Sequence, residues 1–262
     1  MKHLLLIDGL NLIRRIHAAV PGEGAAAVSA AMDVSFHSLR RLGKQFRPTH
    51  AACCFDGPEL SWRHLEYPEY KAGRKPMPIE LRDALPEFRQ QFAEFGLASL
   101  ALPTVEADDL AATLAAKMLQ HGGRVTLVST DKGFCQLLPL AEDSEQLCLW
   151  DAFGKRQFDQ EAILEKFGVP AQCLTDYWGL TGDTTNHIRG VEGVGPKTAL
   201  RLLQQHGSLD GVFDHLDDES GKLAEKLSRD KDQALLCRRL VTLATDLDLG
   251  CKLSDFRFVP HD

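Results

Sequence analysis

Leu4-Leu5-Leu6-Ile7-Asp8 is an unbroken apolar run that stops on an acid. It is too short to span a membrane and no small-residue cleavage site follows it, so it reads as a buried strand. His50 to Phe55 repeats the pattern and stops at Asp56. Arg124 to Ser129 repeats it again, followed by Thr130-Asp131. Helical patterns lie between these runs. One covers 25–42 through Ala27, Ala31, Val34, Leu39 and Leu42, and a second covers 79–95. A third, 106–120, is rich in Ala and Leu and is closed by Gly122-Gly123. Shorter strands are expected at 97–100 and 147–150. This alternation predicts an α/β fold whose sheet is mostly parallel, with helices on both faces. In such sheets the functional groups gather at the carboxyl ends of the strands. Parallel order therefore carries Asp8, Asp56 and Asp131 to one edge. One Asp after a strand is ordinary turn chemistry; three in one chain form a pattern.

Glu106-Ala107-Asp108-Asp109 opens the third helix. Acids in a first helical turn offset the macrodipole and cap free N–H groups. The alternative is that they add charge to the edge that holds Asp8, Asp56 and Asp131. Six carboxylates in one place repel, and only hard cations make that tolerable. Magnesium and manganese take oxygen ligands, several of them water. The chemistry that follows is hydrolysis of a phosphodiester.

Composition frames this reading. With 262 residues the chain suffices for an α/β domain with a sizeable core and a smaller helical appendage. The net charge of −7 argues mildly against a nucleic-acid partner, unless the acids are gathered to bind cations. Seven cysteines with no Cys-x-x-Cys pair read as reduced thiols of a cytoplasmic protein and argue against zinc.

Two further segments bear on function. Residues 57–78 hold four prolines, several aromatics and a basic excess, and read as irregular or only partly helical. Within them Trp62 to Lys75 offers cations for a backbone and rings for bases, as single-stranded nucleic acid requires; its rings are otherwise core packing. From about residue 158 strand signals vanish and short helices alternate with glycine-rich turns. There Gly190 to Ala199 precedes a helix through Leu200, Leu202 and Leu203. Gly193 and Gly195 let backbone N–H groups approach an anion, Pro196 suits a first helical turn, and Lys197 adds charge. The preceding Leu174–Leu180 reads as the first helix of a helix–hairpin–helix that grips duplex DNA. The glycine spacing and Gly-Lys-Thr order of a nucleotide-binding loop are absent, which excludes ATP binding.

In this order the pieces resemble the 5′-nuclease, or flap endonuclease, family, over essentially residues 3–246. The segments that carry the resemblance are Ile7-Asp8-Gly9, Phe55-Asp56-Gly57, Tyr70-Lys71-Ala72-Gly73-Arg74, Glu106-Ala107-Asp108-Asp109, Ser129-Thr130-Asp131-Lys132, Gly182-Asp183 and the glycine turn. Asn11 to His17 and Asp176 to Leu180 narrow it to small stand-alone bacterial members. The resemblance implies a PIN-like nuclease domain over 1–157, with an arch at about 57–78 that threads a 5′ strand. It implies a helical region over 158–262, with a DNA-binding helix–three-turn–helix at about 170–206. It places Asp108, Asp8, Asp56, Glu106, Asp109 and Asp131 on the side of a first Mg²⁺, for which Mn²⁺ can substitute. Asp183 is left for a second ion, and Tyr70, Lys71 and Arg74 fall on the arch side. Main-chain carbonyls of Leu180, Thr181, Arg189, Val191 and Val194 are expected to hold K⁺. Gly193, Val194, Gly195, Pro196, Lys197 and Thr198 are expected to meet DNA. The implied partner is branched DNA with a 5′ flap, met by a monomer during replication or repair, with no membrane role.

Two departures stand out. Where the family usually repeats an acid after the Asp131 position, this chain has Gly133. After Asp183 it reads Thr184-Thr185-Asn186-His187, so a neutral Asn186 stands where a second acid is usual. These departures leave room for a branched-DNA-binding protein with weak or lost cleavage. An RNA-cutting PIN nuclease would explain the carboxylates but not the glycine turn.

Overall fold

A computed structural model describes residues 1–259. The first apolar run becomes the central strand β1 (His3–Asp8), with all six residues buried. With β2 (His50–Cys54), β3 (Ala98–Leu100), β4 (Arg124–Val128), β5 (Leu147–Asp151) and β6 (Arg156–Phe158) it forms one sheet of order β3-β2-β1-β4-β5-β6. Every pairing is parallel except β5 with β6. β6 has no counterpart among the strands expected from the sequence. It has three residues, two of them polar, and its hairpin turns through Lys155 at φ 51°. The remaining strands fall where the apolar runs placed them.

Alternation along β1 sends Leu5 and Ile7 to one face and Leu4 and Leu6 to the other. The first face is covered by α1 (Gly9–His17), α2 (Gly24–Phe46) and two later helices. The segment 57–78 supplies one short helix, α3 (Trp62–Glu66), and otherwise turns. The pattern over 79–95 is not one helix but two, α4 (Ile79–Asp83) and α5 (Leu85–Glu94), parted at Ala84. Pro86, which lacks an N–H and clashes with the preceding turn, belongs at a helix start and forces the break. Leu81, Phe88 and Phe92 join Leu5, Ile7, Leu12 and Ile13 in this layer's core.

On the other face lies α6 (Ala107–Gln120), buried almost all round. An amphipathic surface helix would show a polar side. Here the sheet packs on one flank and the non-helical stretch at residues 242–250 on the other. Thr113 Oγ1 donates to the Ala244 carbonyl at 3.1 Å and Lys117 Nζ to Leu247 at 2.7 Å. Its many alanines let both neighbours approach. Then come α7 (Gln160–Phe167), α8 (Leu174–Thr181), α9 (Pro196–His206), α10 (Leu209–Asp214), α11 (Gly221–Arg229) and α12 (Lys231–Val241). Leu174, Leu202, Leu209, Leu227 and Ala234 continue the core that starts at Leu4 and Leu6. Sheet and helical half therefore share one apolar interior. Among the described residues no helix is long and apolar enough to cross a membrane.

Candidate active site

Asp8 ends β1 level with Cys54 of β2, so Asp56 lies two residues beyond it; Ile7 pairs with Val128, which brings Asp131 to the same edge. Each acid is held. Asp8 accepts from the Asn11 N–H at 3.1 Å and from Ser129 Oγ at 2.8 Å. Asp56 accepts from the Ala107 N–H at 2.8 Å, which pins the end of β2 to the start of α6. Asp131 accepts from the Gly133 N–H at 2.7 Å. Asp108 sits in the first turn of α6. Asp8, Asp56, Asp108 and Asp131 line one open cavity of about 880 Å³, with Asn11, Lys71, Arg74, Thr130, Lys132 and Asp183 on its wall.

This edge carries an electrostatic debt. Burial, reinforced by the charges of Asp131 and Asp56, pushes the Asp8 carboxyl well above its ordinary range, although Asn11 and Ser129 pull it back. Burial also raises Asp108, and Asp8, Asp131 and Asp56 add to the rise while Lys71 opposes it. Among the described residues no three His, Cys, Asp or Glu side chains close into a ready chelate. A wide basin of oxygen donors suits a hard divalent cation that keeps part of its water shell. The donor set therefore fits such an ion.

Glu106 and Asp109 do not join that basin, contrary to the sequence expectation. Asp109 is fully buried against Arg63, which donates from Nη1 at 2.7 Å and from Nη2 at 2.9 Å. The Ala244 N–H and the Trp62 indole, at 3.0 and 3.3 Å, add to its partners. Glu106 accepts from Arg63 at 2.6 Å, from Lys71 Nζ at 2.5 Å and from the Tyr70 hydroxyl at 3.3 Å. A helix start displays successive residues about 100° apart, so three acids within four positions cannot all face one way. Burial disfavours the charge on Glu106, but Lys71 and Arg63 outweigh it and hold the carboxyl below its ordinary range.

By sequence Arg63 is only one cation of the basic, aromatic stretch from Trp62 to Lys75. It is instead 2% exposed, and it also donates to the carbonyls of Leu240 at 2.6 Å and Thr242 at 2.9 Å. One guanidinium thus ties α3 to α6 and to the end of α12. The rings of this stretch follow it inward. Tyr67 and Tyr70 are buried with Ile188, Cys237 and Leu240. The stacking platform expected for bases is at these two positions a seat in the core, because the helical half offers them an apolar surface.

Lys71 and Arg74 remain at the cavity, and Tyr70, though buried, also lines it. Lys71 takes the left-handed region at φ 58°, and its N–H donates to the Asn186 carbonyl at 2.8 Å. Arg74 donates to Asn186 Oδ1 at 2.6 Å and to the Thr185 carbonyl at 3.3 Å. Asp183 faces the same cavity and accepts from Thr185 N–H at 2.9 Å. Asn11, which bonds Thr130 at 3.0 Å, and Ser129 were also passed over as site residues. Both lie in segments that carry the family resemblance, Asn11 to His17 and Ser129 to Lys132, but neither has a charge to mark it as a site residue.

The glycine turn joins α8 to α9. Gly182 and Gly190 approach backbone to backbone; a Cβ on Gly190 would lie 2.5 Å from the Leu180 carbonyl oxygen. That carbonyl accepts from Val191 N–H at 2.9 Å, and the Val191 carbonyl from Val194 N–H at 3.1 Å. The Arg189 carbonyl accepts from Gln233 at 2.8 Å. Thr181 sits at the end of α8. A carbonyl oxygen has a second lone pair, so these bonds leave room for a cation. The guanidinium of Arg189 turns to the Tyr67 hydroxyl. Gly193, Gly195, Pro196 and Lys197 are exposed, Thr198 is half-buried and Val194 points into the core. No side chain caps α9, which starts at Gly195 with Pro196 as its first residue.

Residues 3–168 match the N-terminal resolvase-like domain of the 5′-3′ exonucleases, and residues 169–262 match their C-terminal SAM fold. The chain belongs to the 5′-3′ exonuclease family. Flap endonuclease Xni of Serratia proteamaculans is 46% identical, and the match covers 98% of each chain. The protein of the same name from Psychromonas ingrahamii is 43% identical over 97% of each. Among solved structures, the D15 protein of T5 co-crystallized with metal ions overlays with a TM-score of 0.73. Its identity is 22%, covering 92% of this chain and 89% of that one. The catalytic core of Rad2 in complex with a DNA substrate overlays at 0.60 and 17% identity, covering 99% and 83%. These two likenesses establish a shared fold: a mixed α/β sheet domain followed by a helical one.

Proposed function

We propose that this 5′-3′ exonuclease family member is a Mg²⁺-dependent flap endonuclease that hydrolyses DNA phosphodiesters at 5′ flaps during replication or repair. It would work as a monomer in the cytoplasm. The observation that carries the reading is the unpaired basin of Asp8, Asp56, Asp108 and Asp131 at one end of a parallel sheet, beside Lys71 and Arg74. Near-complete coverage by proteins called flap endonucleases supports it.

Asp108, Asp8, Asp56 and Asp131 would hold Mg²⁺ or Mn²⁺, with Asp183 farther along the wall. The ion supplies a water acidified enough to attack phosphorus at neutral pH and positive charge for the leaving oxygen. Lys71 and Arg74 bind the scissile phosphate and offset charge as it builds on the non-bridging oxygens. Glu106 holds Lys71 and Tyr70 in place, and Arg63 fixes Glu106 and Asp109. The turn from Leu180 to Val194 would carry K⁺ on the carbonyls of Leu180, Thr181, Arg189, Val191 and Val194. Gly193, Gly195, Pro196, Lys197 and Thr198 present backbone N–H groups and one cation to duplex phosphates; Pro196 itself has no N–H to give. Gly133 and Asn186, where acids are usual, favour as second reading a branched-DNA binder with weak cleavage.

A 5′-labelled flap duplex incubated with enzyme and Mg²⁺, beside single-stranded RNA, decides between them. The reading expects cutting near the junction of the flap and none of the RNA. Tight flap binding without Mg²⁺-dependent product would leave only the binder.

A further inference from the structure

Polar groups join the two halves of the molecule beside the cavity. Asn186 stands out. Its main-chain carbonyl accepts from the Lys71 N–H at 2.8 Å. Its side-chain Oδ1 accepts from Arg74 Nη2 at 2.6 Å. Its Nδ2 donates to Asp183 Oδ2 at 2.5 Å, and its N–H reaches Asp183 Oδ1 at 3.3 Å. One residue of the turn between α8 and α9 thus holds the Arg74 guanidinium, the main chain at Lys71 and an acid of its own loop. A carboxamide suits this place, because it accepts from a guanidinium and donates to a carboxylate at once. An acid there would face Asp183 as a second negative charge, and an apolar residue would release Arg74.

The restraint matters most at Arg74, because the Lys71 ammonium and the Tyr70 hydroxyl are already held by Glu106. Arg74 is exposed, and its other hydrogen bond also goes to this loop, at the Thr185 carbonyl. Lys71 occupies the left-handed region, which costs a non-glycine residue free energy that its surroundings must offset. The next residue, His187, is left-handed too, at φ 59°. The loop therefore spends conformational freedom to present the Asn186 amide at one place.

We infer that Asn186 is a positioning residue that sets Arg74 for the scissile phosphate, beside the Lys71 ammonium that Glu106 holds. The arch base is then docked on the helical half before DNA arrives, and phosphate meets a preformed pair of cations. This rests on the nuclease reading above. It adds that the neutral side chain of Asn186 serves as a clamp.

The test is a double-mutant cycle of Asn186→Ala and Arg74→Ala, read as single-turnover cutting of a 5′-flap duplex in saturating Mg²⁺. Flap affinity in Ca²⁺ and thermal unfolding are measured on the same proteins. Asn186→Ala is expected to slow cutting about tenfold or more, as misplacing a reacting group does. It is expected to change flap affinity and unfolding temperature little. In the Arg74→Ala background the same change is expected to cost almost nothing, because the residue it positions is gone. Wild-type cutting by Asn186→Ala would overturn the inference, as would rate losses that multiply in the double variant or a loss that tracks lowered stability. In those cases wild-type enzyme still cuts flaps, so the nuclease reading stands. Absence of cutting by the wild type would instead remove both.

Discussion

The start of α6 holds two kinds of acid within four residues. Glu106 and Asp109 are buried and paired with one guanidinium, while Asp108 is turned to an edge it shares with Asp8, Asp56 and Asp131. The first pair is satisfied by the protein itself. In the second group Lys71 offsets only part of the charge at Asp108, and burial with mutual repulsion lifts Asp8 and Asp108 out of the ordinary carboxylate range. One helical turn therefore separates structure from function. The paired face stabilises the fold, and the unpaired face is held in a costly arrangement that a bound cation relieves. Proteins commonly trade stability for a working site in this way.

The largest break in that contrast comes from Arg63→Ala. It leaves two buried carboxylates without their partner and strips donors from the Leu240 and Thr242 carbonyls. Removing one side of a buried ion pair costs about 3–5 kcal/mol. Urea unfolding is expected to show a loss of that size, and a change within about 0.5 kcal/mol would mean that the node is ornamental.

Asp108→Asn is expected to act in the opposite direction on stability. A carboxyl whose folded pKa is raised binds a proton that the unfolded chain gives up, so its contribution falls as pH rises past the ordinary carboxylate range. In metal-free protein the variant should melt above wild type at pH 8, and the gain should shrink towards pH 5. Added Mg²⁺ should raise the wild-type melting temperature at pH 8 more than that of the variant, because the ion binds the deprotonated basin. Lower melting of the variant at pH 8 would show that Asp108 is paired after all.

The smallest effect is expected at Lys197, at the exposed start of α9. Lys197→Ala should weaken binding to blunt and flapped duplex alike, and should flatten the dependence of log affinity on log salt by about one. A loss confined to flapped DNA would move Lys197 from the duplex grip to the branch.

Much of the fold was legible because each feature was local. Apolar runs ending in acids gave the parallel edge, Ala-Leu periodicity gave α6, and Gly-x-Gly-Pro gave the turn before α9. The hairpin of β6 was too short and too polar to register. The division among Glu106, Asp108 and Asp109 was not legible. It depends on Arg63, more than 40 residues earlier in sequence, and on which way each side chain of one helical turn points. Arg63 lay in a basic, aromatic segment whose composition suited DNA equally well. Only the helical half, which offers Ile188, Cys237 and Leu240 as a seat, shows why that segment folds inward.

The most direct test of the division is the Mg²⁺ dependence of flap cutting by Asp108→Asn and Asp109→Asn, each at a temperature where it is folded. The account predicts that Asp108→Asn makes no product at any Mg²⁺ concentration, and that Asp109→Asn, though less stable, reaches half-maximal rate at the wild-type Mg²⁺ concentration. A cutting Asp108→Asn enzyme, or an Asp109→Asn enzyme that needs far more Mg²⁺, would contradict it.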